Sequence, residues 1–174
     1  YSDIEWKETA SGIMWPLQNT DYCHLQISIG CKSWYAIIVN GDKCGGGNIN
    51  IGFIGAGAVG CSIGKYLCEN SSIAKIKGYY SRTSKSVDIA ATFTNSKAYA
   101  SLEELVNECD VICITTPDDI ILKVWEQIKN YNLQQKIICH FSGSLSSDIF
   151  SGIEETKAEK ISIHPMYAFS DKFT

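Results

Sequence analysis

The sequence predicts an open α/β fold, a doubly wound parallel sheet with helices on both faces. Three observations predict it. From residue 48 onward, short apolar runs alternate with segments of helical periodicity. Residues 110–115 (Asp110 to Thr115) are almost wholly apolar, as a central strand covered on both faces must be. The first run ends in a glycine-rich turn that opens an amphipathic stretch.

The elements follow in order. Residues 1–44 hold three of the four Trp residues and two strand-like runs, 24–29 and 33–40. The first run alternates Leu25, Ile27 and Ile29 on one face. The second is stopped by Asn40-Gly41-Asp42, a turn signal. Gly45-Gly46-Gly47 loses too much entropy to sit in a regular element and reads as a linker. Residues 1–47 are therefore a small β-rich extension, and 48–174 the main domain. The extension docks on its neighbour, belongs to a larger domain, or is unrelated to the main activity; the sequence does not choose.

A strand is expected over 48–54, then a helix over 58–70 with Val59, Ile63, Tyr66 and Leu67 inward. A strand over 75–80 precedes a helix over 84–92 with Val87, Ile89 and Ala90 inward. A short strand at 98–100 leads to Ser101, a helix cap whose capping box Glu104 completes. After the 110–115 strand, Asp118 or Asp119 starts a helix carrying Ile120, Ile121, Val124, Trp125 and Ile128. A strand over 136–141, a short helix over 144–151 ended by Gly152, and a strand over 160–163 complete the pattern.

Composition excludes several classes. The chain has 174 residues, 45% hydrophobic, with net charge −4, so disorder and a basic nucleic-acid surface are both disfavoured. No apolar run of about 20 residues is present, so no membrane partner is expected. Eight cysteines form no C-x-x-C pair, and Cys61, Cys113 and Cys139 fall in runs that read as buried. The spacing of Cys23, His24, Cys31 and Cys44 matches no standard zinc finger. The thiols are read as reduced in a cytoplasmic protein, and no metal site is expected.

The chemistry centres on Gly55-Ala56-Gly57-Ala58-Val59-Gly60. This G-x-G-x-x-G follows a strand and opens a helix, the context a dinucleotide needs. Gly55 permits the tight turn, Gly57 lets a pyrophosphate approach the backbone, and Gly60 lets helix and strand pack closely. At the end of the second strand an NAD site carries Asp or Glu for the ribose 2′-OH. Here Tyr79-Tyr80-Ser81-Arg82-Thr83-Ser84-Lys85 holds no carboxylate. Arg82 offers a fork suited to a 2′-phosphate, and Ser81 and Thr83 offer hydroxyls, so NADP (as NADPH) is predicted over NAD.

Three further segments lie at carboxyl ends of strands. Thr115-Thr116-Pro117-Asp118 lines the nicotinamide ribose, or is a plain strand-to-helix turn capped by Asp118. In His140-Phe141-Ser142-Gly143-Ser144, His140 reads as a hydrogen-bonded core histidine and Ser142 as a substrate-side contact. In His164-Pro165-Met166, His164 is either the proton donor to a reduced group or a turn histidine held by Pro165.

Taken in order, the glycine turn, Tyr80-Ser81-Arg82-Thr83, Thr116-Pro117-Asp118, His140-Phe141-Ser142-Gly143 and Ser162-Ile163-His164-Pro165 resemble a family of Rossmann-like bacterial oxidoreductases with a C-terminal domain of unknown function. That family is similar to deazaflavin-dependent NADP oxidoreductases and pyrroline-5-carboxylate reductases, and some relatives serve as an alternative ketopantoate reductase. The resemblance covers about residues 48–174. It implies a Rossmann fold and NADPH-dependent reduction of a small carbonyl or imine, 2-dehydropantoate among the candidates. It also implies a helical C-terminal domain that completes the substrate site and a homodimer, and most of that domain is expected to be absent here. In related ketopantoate reductases a lysine of that domain supports catalysis, and no matching position can be named. Two other classes stand beside this: a dinucleotide-sensing domain without turnover, and a non-catalytic fragment serving as an interaction module.

Overall fold

The computed structural model describes residues 48–164 and, ahead of them, four strands. The chain divides into two compact units, Tyr1–Gly47 and Asn48–Thr174. In the first, β1 (Glu5–Trp6) pairs antiparallel with β2 (Pro16–Leu17). β3 (Tyr22–Ile29) pairs antiparallel with β4 (Lys32–Val39), Leu25 facing Ala36. The glycine linker, Cys31, Cys44, Pro165 and Met166 lie outside the described residues.

The second unit is a six-stranded sheet. Its strands are β5 (Ile49–Ile54), β6 (Ala74–Tyr80), β7 (Lys97–Ala98), β8 (Val111–Ile114), β9 (Ile137–His140) and β10 (Glu159–Ser162). The spatial order is β10-β9-β8-β5-β6-β7, and every pairing is parallel. The order reverses at β5, which lies between β6 and β8. In such sheets ligands bind outside the carboxyl ends at the point of reversal, so topology alone places a site at the tips of β5, β6 and β8. This is the doubly wound Rossmann arrangement the sequence predicts.

Helix α1 (Ala58–Asn70) has the predicted bounds but not quite the predicted face. Gly60, Ile63, Gly64 and Leu67 are buried at i, i+3, i+4, i+7, while Val59 and Tyr66 are half-buried. In α2 (Ser84–Phe93), Val87, Ala90 and Ala91 face in and Ile89 is 40% exposed, against expectation. The inward stripe runs 87, 90, 91, and Ile89 lies nearly on the opposite side of the helix.

Ser101 caps α3 (Leu102–Glu108) by accepting from Glu104 N at 3.1 Å. The capping box is only half made. The Glu104 carboxylate pairs instead with Lys97 Nζ at 2.6 Å. α4 (Asp118–Ile128) is capped by Pro117 and not by Asp118. It buries Ile121, Val124, Trp125 and Ile128.

The expected helix over 144–151 does not form. A 3-10 turn, Ser147–Ile149, stands there, and Gly152, at φ 78°, begins α5 (Ile153–Thr156) instead of ending a helix. The reason is chemical. Ser142 Oγ accepts from Ser144 N and Leu145 N, each at 3.1 Å, and Ser146 Oγ accepts from Asp148 N at 3.2 Å. Serine side chains take the backbone donors that a helix would need.

The core between sheet and helices holds Leu105, Ile112, Ile114, Ile121, Trp125, Ile128, Leu133 and Phe150, all fully buried. Trp125 Nε1 also donates to Ser151 O at 2.9 Å. Trp125→Phe removes that bond and leaves part of the indole volume empty. It should cost about 1–2 kcal/mol in denaturant unfolding, with an unchanged m-value.

Candidate functional site

The glycine turn sits at the tip of β5, held from both neighbouring strands. Gly55 N donates to Tyr80 O at 2.8 Å, and Thr115 N donates to Ile54 O at 2.9 Å. Thr115 Oγ1 donates to Gly55 O at 2.9 Å. Tyr79 Oη donates to Gly60 O at 3.3 Å, and its ring stacks on Phe53 with centroids 5.1 Å apart. Burial pushes the Tyr79 phenol up, so it remains a donor at any working pH.

The glycines are used as the fingerprint requires. Gly55 has φ 117°, which a side chain rarely adopts. A Cβ on Gly60 would lie 2.6 Å from Gly55 O and 2.7 Å from Thr115 Oγ1. A Cβ on Gly57 would meet nothing within 4 Å. Gly57 therefore faces open space, and what its missing side chain leaves room for is not protein.

A cleft of about 440 Å³ opens over this turn. Gly55, Ala56 and Gly57 form its floor. Tyr80, Ser81, Arg82 and Ser86 line one side; Thr115, Thr116 and Pro117 line the other. Leu102, Ile120, Lys123, Val124 and Gln127 close it from α3 and α4. Of the sequence-predicted cofactor residues, Ala58, Val59 and Gly60 lie in α1 behind the turn, and Thr83 caps α2.

Two features fit a dinucleotide. The first turns of α1 and α2 carry no side-chain cap bond and no carboxylate, so their free N–H groups and positive dipole ends stay available to phosphate. Thr116 Oγ1 is buried with no hydrogen-bond partner in the structure, a polar atom that a ligand in the cleft would satisfy. Sequence reasoning missed Ser86, Lys123 and Gln127. Lys123 and Gln127 are four apart on α4, hence on one face, and the strand–turn–helix order already aims that face at the cleft.

The profile of the oxidoreductase family with an NAD-binding Rossmann fold (GFO_IDH_MocA) matches residues 49–141, more than half of the chain. The chain belongs to this family.

No curated protein matches the sequence. Among solved structures, a Bacteroides fragilis protein described as an NADP oxidoreductase superposes with TM-score 0.62 at 21% identity. The match covers 72% of this chain and 46% of that one. An imine reductase from Bacillus cereus BAG3X2 gives TM-score 0.58 at 16% identity, covering 71% and 43%. A Sinorhizobium meliloti 1021 protein described as a myo-inositol dehydrogenase gives 0.54 at 16%, covering 66% and 36%. These likenesses show the fold. The chain spans less than half the length of the structures it resembles. Among the described residues no helix is long and apolar enough to cross a membrane.

The other carboxyl-end segments, Ser142 to Ser144 and His164, do not line the cleft; the first of them meets Asp118, the residue after cleft-lining Pro117. Ser144 Oγ donates to Asp118 Oδ2 at 2.6 Å, linking the loop after β9 to the start of α4. The Ser144 and Ser142 hydroxyls hold the exposed Asp118 carboxyl below its ordinary range. The His164 imidazole packs on Gly143, where a Cβ would lie 2.8 Å from Nε2 and 2.9 Å from Cε1. His164 is thus exposed beside Ser142 and Gly143. Ser142 itself is buried, its Oγ taken up with Ser144 N and Leu145 N.

His140 is fully buried. Ser142 N donates to its Nδ1 at 3.2 Å, which leaves Nε2 to donate to Ser146 O at 3.2 Å. Both nitrogens are committed within the core. Burial holds its pKa below the ordinary value. The unfolded chain therefore takes up a proton below about pH 6.5 that the folded chain resists. Stability should fall as pH drops from about 6.5 toward the folded pKa. In thermal melts across that window, His140→Gln should show a shallower fall than the parent chain.

Proposed function

We propose that the chain is the cofactor half of an NADPH-dependent reductase acting on a small carbonyl or imine substrate, with 2-dehydropantoate among the candidates. Arg82 carries this reading. It lines the cleft at the end of β6, beside Ser81 and Ser86, next to an α2 first turn without a carboxylate. A 2′-phosphate there meets a guanidinium and a helix N-terminus, where a bare 2′-OH would meet no carboxylate.

The bound cofactor supplies hydride to the substrate carbon. The chain's own residues do the rest. The α1 first turn and the Gly57 backbone hold the pyrophosphate. Thr116 Oγ1 binds the nicotinamide half. His164 gives a proton to the substrate oxygen or nitrogen as negative charge develops there. Ser142 shapes the loop beneath His164, its hydroxyl oxygen accepting from Ser144 N and Leu145 N.

Titration with NADPH and NADH, followed by nicotinamide fluorescence, tests this. Micromolar NADPH binding well above NADH supports the reading; equal affinities remove the 2′-phosphate assignment. NADPH oxidation with 2-dehydropantoate or cyclic imines then tests turnover, and binding without oxidation would favour a sensing role. Thr116→Val should lower the affinity for both nucleotides about tenfold, while Thr116→Ser retains it.

A further inference from the structure

We propose that Asp118 is a positioning residue: by holding Ser144 it fixes the 142–145 loop on which the His164 imidazole is seated, and so sets that imidazole at the nicotinamide end of the cleft. The proposal rests on the reading of the cleft as the dinucleotide site and of His164 as the proton donor.

Four observations carry it. First, the Asp118 carboxylate bonds outside its own helix. Asp118 is the first residue of α4, and its Oδ2 accepts from Ser144 Oγ at 2.6 Å. A charge-assisted bond that short is about twice as strong as a neutral one. It ties together segments 26 residues apart.

Second, Asp118 directly follows Thr116 and Pro117, which line the cleft. The loop it holds is therefore referenced to the cofactor wall. Third, the loop is stiff enough to transmit a position. Ser142 Oγ accepts from both Ser144 N and Leu145 N, and Ser162 Oγ donates to Leu145 O at 3.1 Å. Fourth, Gly143 lies in this loop and the His164 ring rests on it, so close that any side chain would displace the ring. Displacing the loop displaces the imidazole. A proton donor about 1 Å out of place loses much of its effect, so Asp118 acts on the reaction without touching a reactant.

The test needs no substrate. The chain has three histidines, so the Cε1–H signals in a 1H–13C spectrum are few, and His164→Gln identifies one of them. In the parent chain, saturation with NADP+ should shift the His164 signal. In Asp118→Ala and in Ser144→Ala, NADP+ affinity should change by less than about threefold while the His164 shift collapses. Asp118→Asn keeps an acceptor oxygen for Ser144 and should restore the shift. Gly143→Ala should lose it by pushing the ring away directly.

A full His164 shift in Asp118→Ala would overturn the proposal. So would a parent chain that binds NADP+ without any His164 shift, and in that case the dinucleotide reading would stand. If no nucleotide binds, that reading fails. The contact between the His164 ring and the Gly143 Hα, seen as a nuclear Overhauser effect without nucleotide, then decides the seating. Its loss in Asp118→Ala supports the Asp118 role, and its persistence overturns it.

Discussion

Gly57→Ala leaves the fold intact and abolishes dinucleotide binding. The added methyl meets no protein atom within 4 Å, and Gly57 is already at φ −88°, a conformation alanine adopts without strain. Unfolding free energy should stay within about 1 kcal/mol of the parent, the ordinary range for an N-cap change. The methyl does project into the space where a pyrophosphate must approach the first turn of α1. Affinity should fall by at least about 100-fold for NADPH and NADH alike, or about 2.7 kcal/mol. Fluorescence titration beside a denaturant melt reads both numbers. Gly60→Ala makes the contrast, because its methyl would press on Gly55 O and Thr115 Oγ1 and so damage the turn itself.

Arg82→Ala separates the two nucleotides. The guanidinium is exposed at the rim of the cleft, at the end of β6. On the proposed NADPH reading it would give a 2′-phosphate two parallel charge-assisted bonds, and a charged hydrogen-bonding partner of this kind contributes about 1.5–3 kcal/mol. NADPH affinity should fall about 30- to 100-fold, and NADH affinity should move by less than about twofold. The NADPH loss should shrink as ionic strength rises, because the charge pair is solvent-facing. Equal losses for both nucleotides would show that Arg82 supports the turn or the adenine and not a phosphate.

Much of the fold was legible because the local signals agreed. α1 begins and ends where periodicity and the glycine turn place it, and the apolar 111–114 stretch is a central strand, as its lack of polar residues requires. Sequence reasoning failed where one residue had two possible partners. Glu104 has the spacing of a capping box, yet Lys97 lies closer in space and takes the carboxylate. A helix is expected over 144–151, but the Ser142 and Ser146 side chains capture its backbone donors.

The candidate site divides the same way. The turn at Gly55, Gly57 and Gly60 and the basic end of β6 follow from chain order alone. The convergence of Asp118, Ser144, Gly143 and His164 does not. It joins segments that only the β8-β9-β10 neighbourhood brings together. His140 is the hydrogen-bonded core histidine expected of it; its partners, Ser142 N and Ser146 O, come from the loop after β9, which takes the place of the start of the expected helix.

The bond from Thr115 to Gly55 also has a consequence for how the chain reaches its native state. It spans 60 residues, as does the pairing of β5 with β8, whereas β5 meets β6 across a much shorter stretch. Entropy favours the shorter closure, so β5, α1 and β6 can assemble as a unit before β8 slides in beside them. The glycine turn, held early by Tyr80 O and Tyr79 Oη, is pinned from its second side only when that late strand arrives. A nucleotide that needs the pinned turn therefore gains nothing from the early unit and acts on the finished sheet. Its kinetic signature is slower unfolding, with little change in the rate of folding.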